Sequence, residues 1–222
     1  MTTEERKGVT IPDGQEYDAN HFLVPRCYEG DLSAVIIPEG LIRDRIKRLA
    51  HDIHYCIGDQ PLVMLCVLKG SYRFFTILVD EISTARQSYN SRTGVLVEFI
   101  KVKSYENTAS SGSLEITGLS NLDELSGKNV LIVDDIVDSG FTLSQLAATL
   151  KARGVAKLWT ALLLSKRGVR KVPVQEDFVA FNIPDKFIVG FGLDYNQIFR
   201  DLNHICVMSE AGIEKYKKNN TA

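Results

Sequence analysis

The sequence predicts an α/β fold in which a parallel β-sheet is covered by helices on both faces. Three observations predict this class. Short apolar runs recur along the chain without a sustained alternation of polar residues, as expected for strands buried on both faces. Segments with the apolar spacing of amphipathic helices lie between these runs. Of the 222 residues, 45% are apolar, which is ample for a buried interior.

The elements follow one another in a regular order. Proline is favoured at the start of a helix and glycine just beyond its end, so the first helix is predicted between Pro38 and Gly58. Arg153 and Gly154 end a later helix in the same way. The predicted order is a helix at 42–53, a strand at 62–68, a helix at 74–82, strands at 95–102 and 130–133, a helix at 143–150, and strands at 158–164 and 178–181.

Composition and charge limit the function classes. The net charge of -2 gives no basic excess for a nucleic acid or a membrane surface, so we expect small ligands, no nucleic-acid partner and no membrane partner. The first residues have no apolar segment of the signal-peptide kind, and we expect a cytoplasmic protein. The four cysteines, Cys27, Cys56, Cys66 and Cys206, lack CxxC spacing and are predicted to be free thiols.

An acidic cluster follows the strand at 130–133. Asp134, Asp135 and Asp138 lie within "VLIVDDIVDSGFT", at the carboxyl end of a strand, where ligands bind in parallel sheets. Three carboxylates so close together repel one another unless a cation or several hydrogen-bond donors share the site. The adjacent pair suits sugar hydroxyls or a hydrated magnesium ion.

The turn after this pair, Asp138-Ser139-Gly140-Phe141-Thr142, leads directly into a helix. Free N–H groups at the start of that helix, with the Ser139 and Thr142 hydroxyls, would bind a phosphate monoester. In an isolated turn of this kind, Asp138 or Ser139 more often merely caps the helix. The neighbouring aspartates favour the phosphate-binding alternative.

The same stretch resembles the phosphoribosyl pyrophosphate (PRPP) signature of the type I phosphoribosyltransferases. The resemblance extends through "VLKGSYRFF", "KSYENTASSG", "LLLSKRG" and "IPDKFIVGFGLDYNQIFRDLNHI", and is greatest to the hypoxanthine-guanine phosphoribosyltransferase family. Two positions differ from the family pattern: Asp134 stands where many members have glutamate, and Phe141 occupies a slot where some members carry a cation.

The resemblance implies a role for each matching residue. Asp138 would take a proton from the purine N7, and Lys166 would donate to the 6-oxo group. Mg²⁺ would be held by Asp194, with Asp134 and Asp135 as further candidate ligands. The implied substrate-binding residues are Lys69, Gly70, Ser104, Tyr105, Asp134, Asp135, Ile136, Val137, Asp138, Ser139, Gly140, Phe141, Thr142, Lys166, Lys186, Phe187, Ile188, Asp194 and Arg200.

Several of these residues have an ordinary alternative when considered alone. Lys69-Gly70, which the resemblance identifies as a pyrophosphate loop with a cis peptide at Leu68–Lys69, would otherwise be a simple turn. Lys166 after a strand is commonly solvated, and an aromatic residue such as Phe187 is more often part of a core. His51 and His54 have helical spacing but no third ligand, so we interpret them as surface histidines.

The resemblance also implies the domain organisation. We expect a single domain over 1–222, with a core at about 38–185 and a small hood formed from the chain ends, about 1–37 and 186–222. Residues 104–118 are polar and serine-rich, and we expect a long flexible lid loop there; a disordered insertion is the alternative.

The implied activity is transfer of the phosphoribosyl group from PRPP to hypoxanthine or guanine, giving IMP or GMP and pyrophosphate. A homodimer or homotetramer is expected. The alternatives are a phosphoribosyltransferase for another base, xanthine or adenine, and a non-catalytic PRPP-sensing regulator. The regulator usually has an appended nucleic-acid-binding element, which we do not find in the sequence.

Overall fold

A computed structural model describes residues 8–104, 114–119, 121–168 and 170–217. The large sheet has seven strands in the order β1-β8-β7-β6-β3-β4-β5, and only the β4–β5 pair is antiparallel. This confirms the predicted fold class. Its strands are β1 (Val9–Thr10), β3 (Leu62–Leu68), β4 (Val95–Ser104), β5 (Leu114–Thr117), β6 (Asn129–Val137), β7 (Lys157–Lys166) and β8 (Phe178–Ile183).

Helices cover both faces of this sheet, as predicted. Helices α1 (Glu39–Ile57) and α2 (Tyr72–Ser88) pack their apolar sides on one face, and α3 (Phe141–Ala152) packs on the other. Pro38 and Gly58 flank α1, and Gly58 has a φ of 70°, a value that glycine adopts without strain. The largest core cluster therefore lies between the sheet and the α1–α2 pair.

Strand β4 differs from the prediction of strands buried on both faces. Strands β3, β6, β7 and β8 are largely buried, but Leu96 and Phe99 of β4 are 57% and 43% exposed. The reason is positional, because β4 lies next to the short strand β5 at one edge of the sheet. Apolar composition alone does not distinguish a central strand from one near an edge.

The predicted hood is a second sheet of three strands in the order β2-β10-β9. It contains β2 (Leu32–Ile37), β9 (Ile188–Val189) and β10 (Ile205–Met208), and the short helix α4 (Glu210–Lys215) follows. Both ends of the chain thus contribute to the hood. Val9 and Thr10, which precede the hood strand β2, pair in parallel with β8 of the large sheet.

Both ends of the segment predicted as a lid loop contribute to strands. Ser104 ends β4, and Leu114–Thr117 form β5, which pairs antiparallel with Lys101–Ser104. Tyr105 and the rest of 105–113 lie outside the described residues, so the lid itself stays a prediction. Within the described ranges, no helix is long and apolar enough to cross a membrane.

Candidate functional site

Four neighbouring parallel strands end at the same edge of the large sheet. Strand β3 ends before Lys69, β6 ends before Asp138, β7 ends at Lys166, and β8 ends just before the segment that contains Phe187. The sheet therefore collects side chains that are far apart in the sequence. This edge is where ligands bind in parallel α/β sheets.

The phosphate turn (residues 138–142) has the geometry of an anion site. Gly140 is the N-cap of α3 with a φ of 81° and has no side chain to cap the helix, so the N–H groups that follow Phe141 in the first turn are available to a ligand. A Cβ at Gly140 would lie 2.7 Å from the carbonyl oxygen of Val172, which excludes a larger residue. The adjacent cavity of about 130 Å³ is lined by Asp134, Ile136, Val137, Asp138, Ser139, Gly140, Thr142 and Leu143.

Asp138 makes no cap hydrogen bond to α3, so the capping alternative applies to Ser139 and not to Asp138. Its side chain is 70% exposed, and its Oδ2 lies 3.4 Å from the Lys166 Nζ. The local hydrogen bond is instead made by Ser139, whose Oγ accepts from the N–H of Phe141 at 3.4 Å. Asp138 is therefore directed toward the site and is free to act on a ligand.

Lys166 is held rather than solvated. Its side chain is only 15% exposed, and its Nζ donates to the Asp185 carboxylate at 2.9 Å as well as approaching Asp138. Asp185 was not singled out by the sequence, because it lies 19 residues further along the chain. The two carboxylates share one ammonium group, which fixes its position at the wall of the pocket.

A second cavity of about 220 Å³ adjoins the phosphate turn; we call it the base pocket. Phe187 is 46% exposed here and makes an edge contact with Tyr195 at 5.1 Å, so it is not a core residue and its ring face is available for stacking. Lys186 forms an ion pair with Glu16. The base pocket is lined by Asp135, Ile136, Asp138, Lys166, Lys186, Phe187, Ile188, Leu193 and Asp194.

Asp134 and Asp135 lie between the two cavities. Burial raises the pKa of both carboxyl groups, and the charge of Asp135 raises the pKa of Asp134 further. The Asp135 carboxylate lies so close to Gly70 that a Cβ there would overlap it, which explains the glycine in the pyrophosphate loop. A buried acidic pair with raised pKa values is the kind of site that a cation stabilises.

The donor set is sparse for a metal held by protein alone. Among the described residues there is no group of three or more His, Cys, Asp or Glu side chains placed to hold an ion. Magnesium keeps several water molecules and prefers one or two carboxylates together with substrate phosphates. The residues present fit Mg²⁺ in that mode and do not form a preassembled protein cage.

The pyrophosphate loop meets a loop from the hood. The Leu68–Lys69 peptide is cis, as the family resemblance implied. The Lys69 Nζ donates to the side chain of Gln197 at 3.2 Å. Arg200 forms an ion pair with Asp194 at 2.6 Å and donates to the carbonyl oxygen of Gly192 at 2.7 Å.

The structure brings together the predicted site residues of the phosphate turn, the base pocket and the pyrophosphate loop. Ser104 is the last residue of β4, and Tyr105 lies outside the described residues. Of the two histidines, His51 is exposed, but His54 is half-buried and stacks on Tyr89 at 4.6 Å, so the surface interpretation is only partly right. Cys27, Cys66 and Cys206 are free thiols, as predicted.

Sequence reasoning missed residues that support the site from outside. Arg170 donates to the carbonyl oxygens of Val137 and Asp138, which fixes the start of the phosphate turn. Arg73 similarly binds the backbone next to Arg200. No local pattern marks such residues, because their acceptors are main-chain groups brought close only by the fold.

Comparison with known proteins supports the family resemblance found in the sequence. The phosphoribosyl transferase domain family matches residues 38–196. Hypoxanthine-guanine phosphoribosyltransferase of Bos taurus is 48% identical over 98% of this chain and 100% of its own length, and that of Homo sapiens is 46% identical over 95% and 97%. The structure of the Schistosoma mansoni enzyme with IMP aligns with a TM-score of 0.79 at 31% identity, covering 95% of this chain and 99% of that one.

The site and the comparisons therefore agree over nearly the whole length of the protein. The matched domain begins just before α1 and includes all four strand ends that form the site. The chain belongs to the hypoxanthine-guanine phosphoribosyltransferase family.

Proposed function

We propose that the protein is a purine salvage enzyme that transfers the phosphoribosyl group from PRPP to N9 of hypoxanthine or guanine. The products are IMP or GMP and pyrophosphate. One observation carries this proposal: the phosphate-turn cavity and the base pocket share Ile136 and Asp138. A ligand with a phosphate at one end and a base at the other, such as a purine nucleotide, fits two cavities joined in this way.

The chemistry is a displacement at the anomeric carbon of ribose. The bond from that carbon to the pyrophosphate oxygen breaks, and both of its electrons leave with pyrophosphate. The purine N9 forms the new bond, and the N7 proton passes to the Asp138 carboxylate. Arg200 and the Lys69 region stabilise the negative charge of the departing group.

Purine selectivity follows from the position of Lys166. An ammonium group can only donate hydrogen bonds, so it suits the 6-oxo group of hypoxanthine and guanine. Adenine presents an amino donor at the same position, and this donor would face an ammonium group that cannot accept a hydrogen bond. Mismatches of this kind reach discrimination of about 10⁴-fold.

A magnesium ion would be bound by Asp194, with Asp134 and Asp135 as further candidates. When bound, it would neutralise negative charge on the pyrophosphate group. The raised pKa values of Asp134 and Asp135 support this proposal, because a cation relieves the repulsion between them.

We also propose an oligomeric state, a cellular location and a lid. Val97 and Phe99 on one face of β4 and Leu96 on the other face are exposed apolar residues, which supports a homodimer or homotetramer. A cytoplasmic location agrees with the free thiols. The segment 104–118 would close over the charged transition state and exclude water.

The deciding experiment is an assay of the purified protein with PRPP and Mg²⁺. Hypoxanthine, guanine, xanthine and adenine are supplied separately, and nucleotide formation is followed by chromatography. We expect IMP and GMP to form and AMP to stay near background. Efficient AMP formation would contradict the role of Lys166, and no nucleotide with any base would contradict the proposed activity.

A further inference from the structure

Arg73 connects the two loops that would bind pyrophosphate. It lies in the first turn of α2, directly after the pyrophosphate loop Lys69-Gly70, and its guanidinium reaches the segment that follows Arg200. We propose that Arg73 is a positioning residue that holds Arg200 in register with the pyrophosphate loop. This inference rests on the proposed function, since it assigns a second support to the same leaving group.

The contacts of Arg73 use both nitrogens and the flat face of the guanidinium. Nη1 donates to the carbonyl oxygens of Leu202 at 2.6 Å and Asp201 at 3.2 Å, and Nη2 donates to the Asn203 Oδ1 at 2.8 Å. The guanidinium carbon also lies 4.9 Å from the centre of the Phe191 ring. A planar group with five donors can satisfy this arrangement, whereas a lysine ammonium cannot occupy all these positions at once.

The segment that Arg73 binds, residues 200–203, is hydrogen-bonded to a second segment, residues 191–192. The N–H of Phe191 donates to the carbonyl oxygen of Leu202 at 2.8 Å, and the N–H of Gly192 donates to the carbonyl oxygen of Arg200 at 3.1 Å. The Arg200 side chain returns to the Gly192 carbonyl oxygen at 2.7 Å. Arg73 stacks on Phe191 in one segment and donates hydrogen bonds to residues 201–203 in the other, so it fixes the position of both segments.

The pyrophosphate loop touches the same pair. A Cβ at Gly192, whose φ is 105°, would overlap the carbonyl oxygen of Gly70. Lys69 adds its hydrogen bond to Gln197. The contact between Gly70 and Gly192 involves no side chain, and the hydrogen bond from Lys69 to Gln197 is exposed. Arg73, in contrast, makes three hydrogen bonds and a ring contact. Arg73 is therefore the strongest link that the described residues show between the pyrophosphate loop and the Arg200 segment.

This arrangement predicts a selective kinetic effect. When the bond to pyrophosphate breaks, both electrons pass to the leaving oxygen, and Arg200 must already be in place to stabilise that charge. A loosened Arg200 segment would weaken binding of pyrophosphate and of the diphosphate end of PRPP. The purine binds at Lys166 and Phe187, on other strand ends, and its affinity would be spared.

The test is Arg73→Lys, which keeps the charge but loses the planar fork. We expect the KM for PRPP and the inhibition constant of pyrophosphate each to rise about tenfold, while the KM for hypoxanthine changes less than twofold. Arg45→Lys is the matched control, because Arg45 is likewise only partly exposed and donates to two main-chain oxygens, those of Val179 and Ala180. It should lower the melting temperature without changing pyrophosphate inhibition.

A double-mutant cycle with Arg200→Lys tests whether Arg73 acts through Arg200. In that background, Arg73→Lys should raise the pyrophosphate inhibition constant less than threefold. If Arg73→Lys does not fold, Asn203→Ala removes one of its acceptors and should raise the constant about threefold. Wild-type activity with unchanged pyrophosphate inhibition in the Arg73 or Asn203 variant would overturn this inference alone. Wild-type protein that makes no nucleotide would overturn the proposed function instead.

Discussion

Replacing Asp138 by asparagine separates a catalytic base from a structural residue. The substitution keeps the size of the side chain but removes its ability to accept a proton. General base catalysis is typically worth about 10² to 10⁴ in rate, or about 2.7 to 5.4 kcal/mol. We expect kcat to fall within that range at saturating substrates.

The structure predicts little effect of the same change on stability. Asp138 makes no cap hydrogen bond to α3, and its side chain is 70% exposed, so its ion pair with Lys166 is worth at most about 1 kcal/mol. The free energy of unfolding, measured by urea titration, should therefore change by about 1 kcal/mol or less. PRPP affinity should also be nearly unchanged.

The control for this prediction is Asp123→Asn. Asp123 is likewise an exposed aspartate, 56% exposed and paired with Arg153 at 2.8 Å, but it lies in a short 3₁₀ helix (Leu122–Leu125) before β6 and lines neither cavity. Its replacement should leave kcat unchanged. If Asp138→Asn kept near wild-type kcat with saturating PRPP and hypoxanthine, Asp138 would not be the general base.

Three further predictions concern other parts of the molecule. Lys166→Gln should raise the KM for hypoxanthine about 10- to 100-fold, because one hydrogen bond from a charged donor is lost. PRPP affinity, measured by calorimetry, should be unchanged. Gly192→Ala should lower the free energy of unfolding in urea by more than about 1 kcal/mol, because φ is 105° and the new Cβ overlaps Gly70; an unchanged midpoint would contradict that packing. Burial lowers the pKa of His204 below its usual 6.5, so between the folded and the unfolded pKa the folded state binds fewer protons than the unfolded state. The free energy of unfolding should therefore decrease as the pH falls below 6.5. His204→Asn, whose amide oxygen can replace Nδ1 as acceptor for the N–H of Glu39, should flatten the pH dependence of the unfolding midpoint.

The parts of the site that the sequence predicted are those built from neighbouring residues. The phosphate turn follows β6 without interruption, so its carboxylates, glycine and helix start are all visible in one short stretch. Five strands of the large sheet and helices α1, α2 and α3 were predicted for the same reason, because apolar spacing is a local property, whereas the short strands β1, β2, β5, β9 and β10 and helix α4 were not predicted. Pro38 and Gly58 similarly mark the limits of α1.

The parts that were missed depend on contacts made only in the folded chain. Lys69 and Gln197 are 128 positions apart, and Lys166 reaches Asp185 across the ends of two strands. Arg73 binds main-chain oxygens, which every residue type possesses. The exposure of β4 was missed because an apolar run has the same composition in the middle of a sheet as near its edge.

The order of strands in the hood has a consequence for protein synthesis. Strand β10 lies between β2 and β9, so β2 has no sheet partner in the hood until β10 has been made and has left the ribosome. The large sheet, whose last strand is β8, can assemble earlier on the nascent chain. The Arg200 segment directly precedes β10 and packs in the hood core through Phe199 and Leu202. A ribosome-bound chain that ends before β10 would therefore carry the phosphate turn in a formed sheet but would lack the completed hood that positions the Arg200 segment, so we expect no enzyme activity until β10 has left the ribosome.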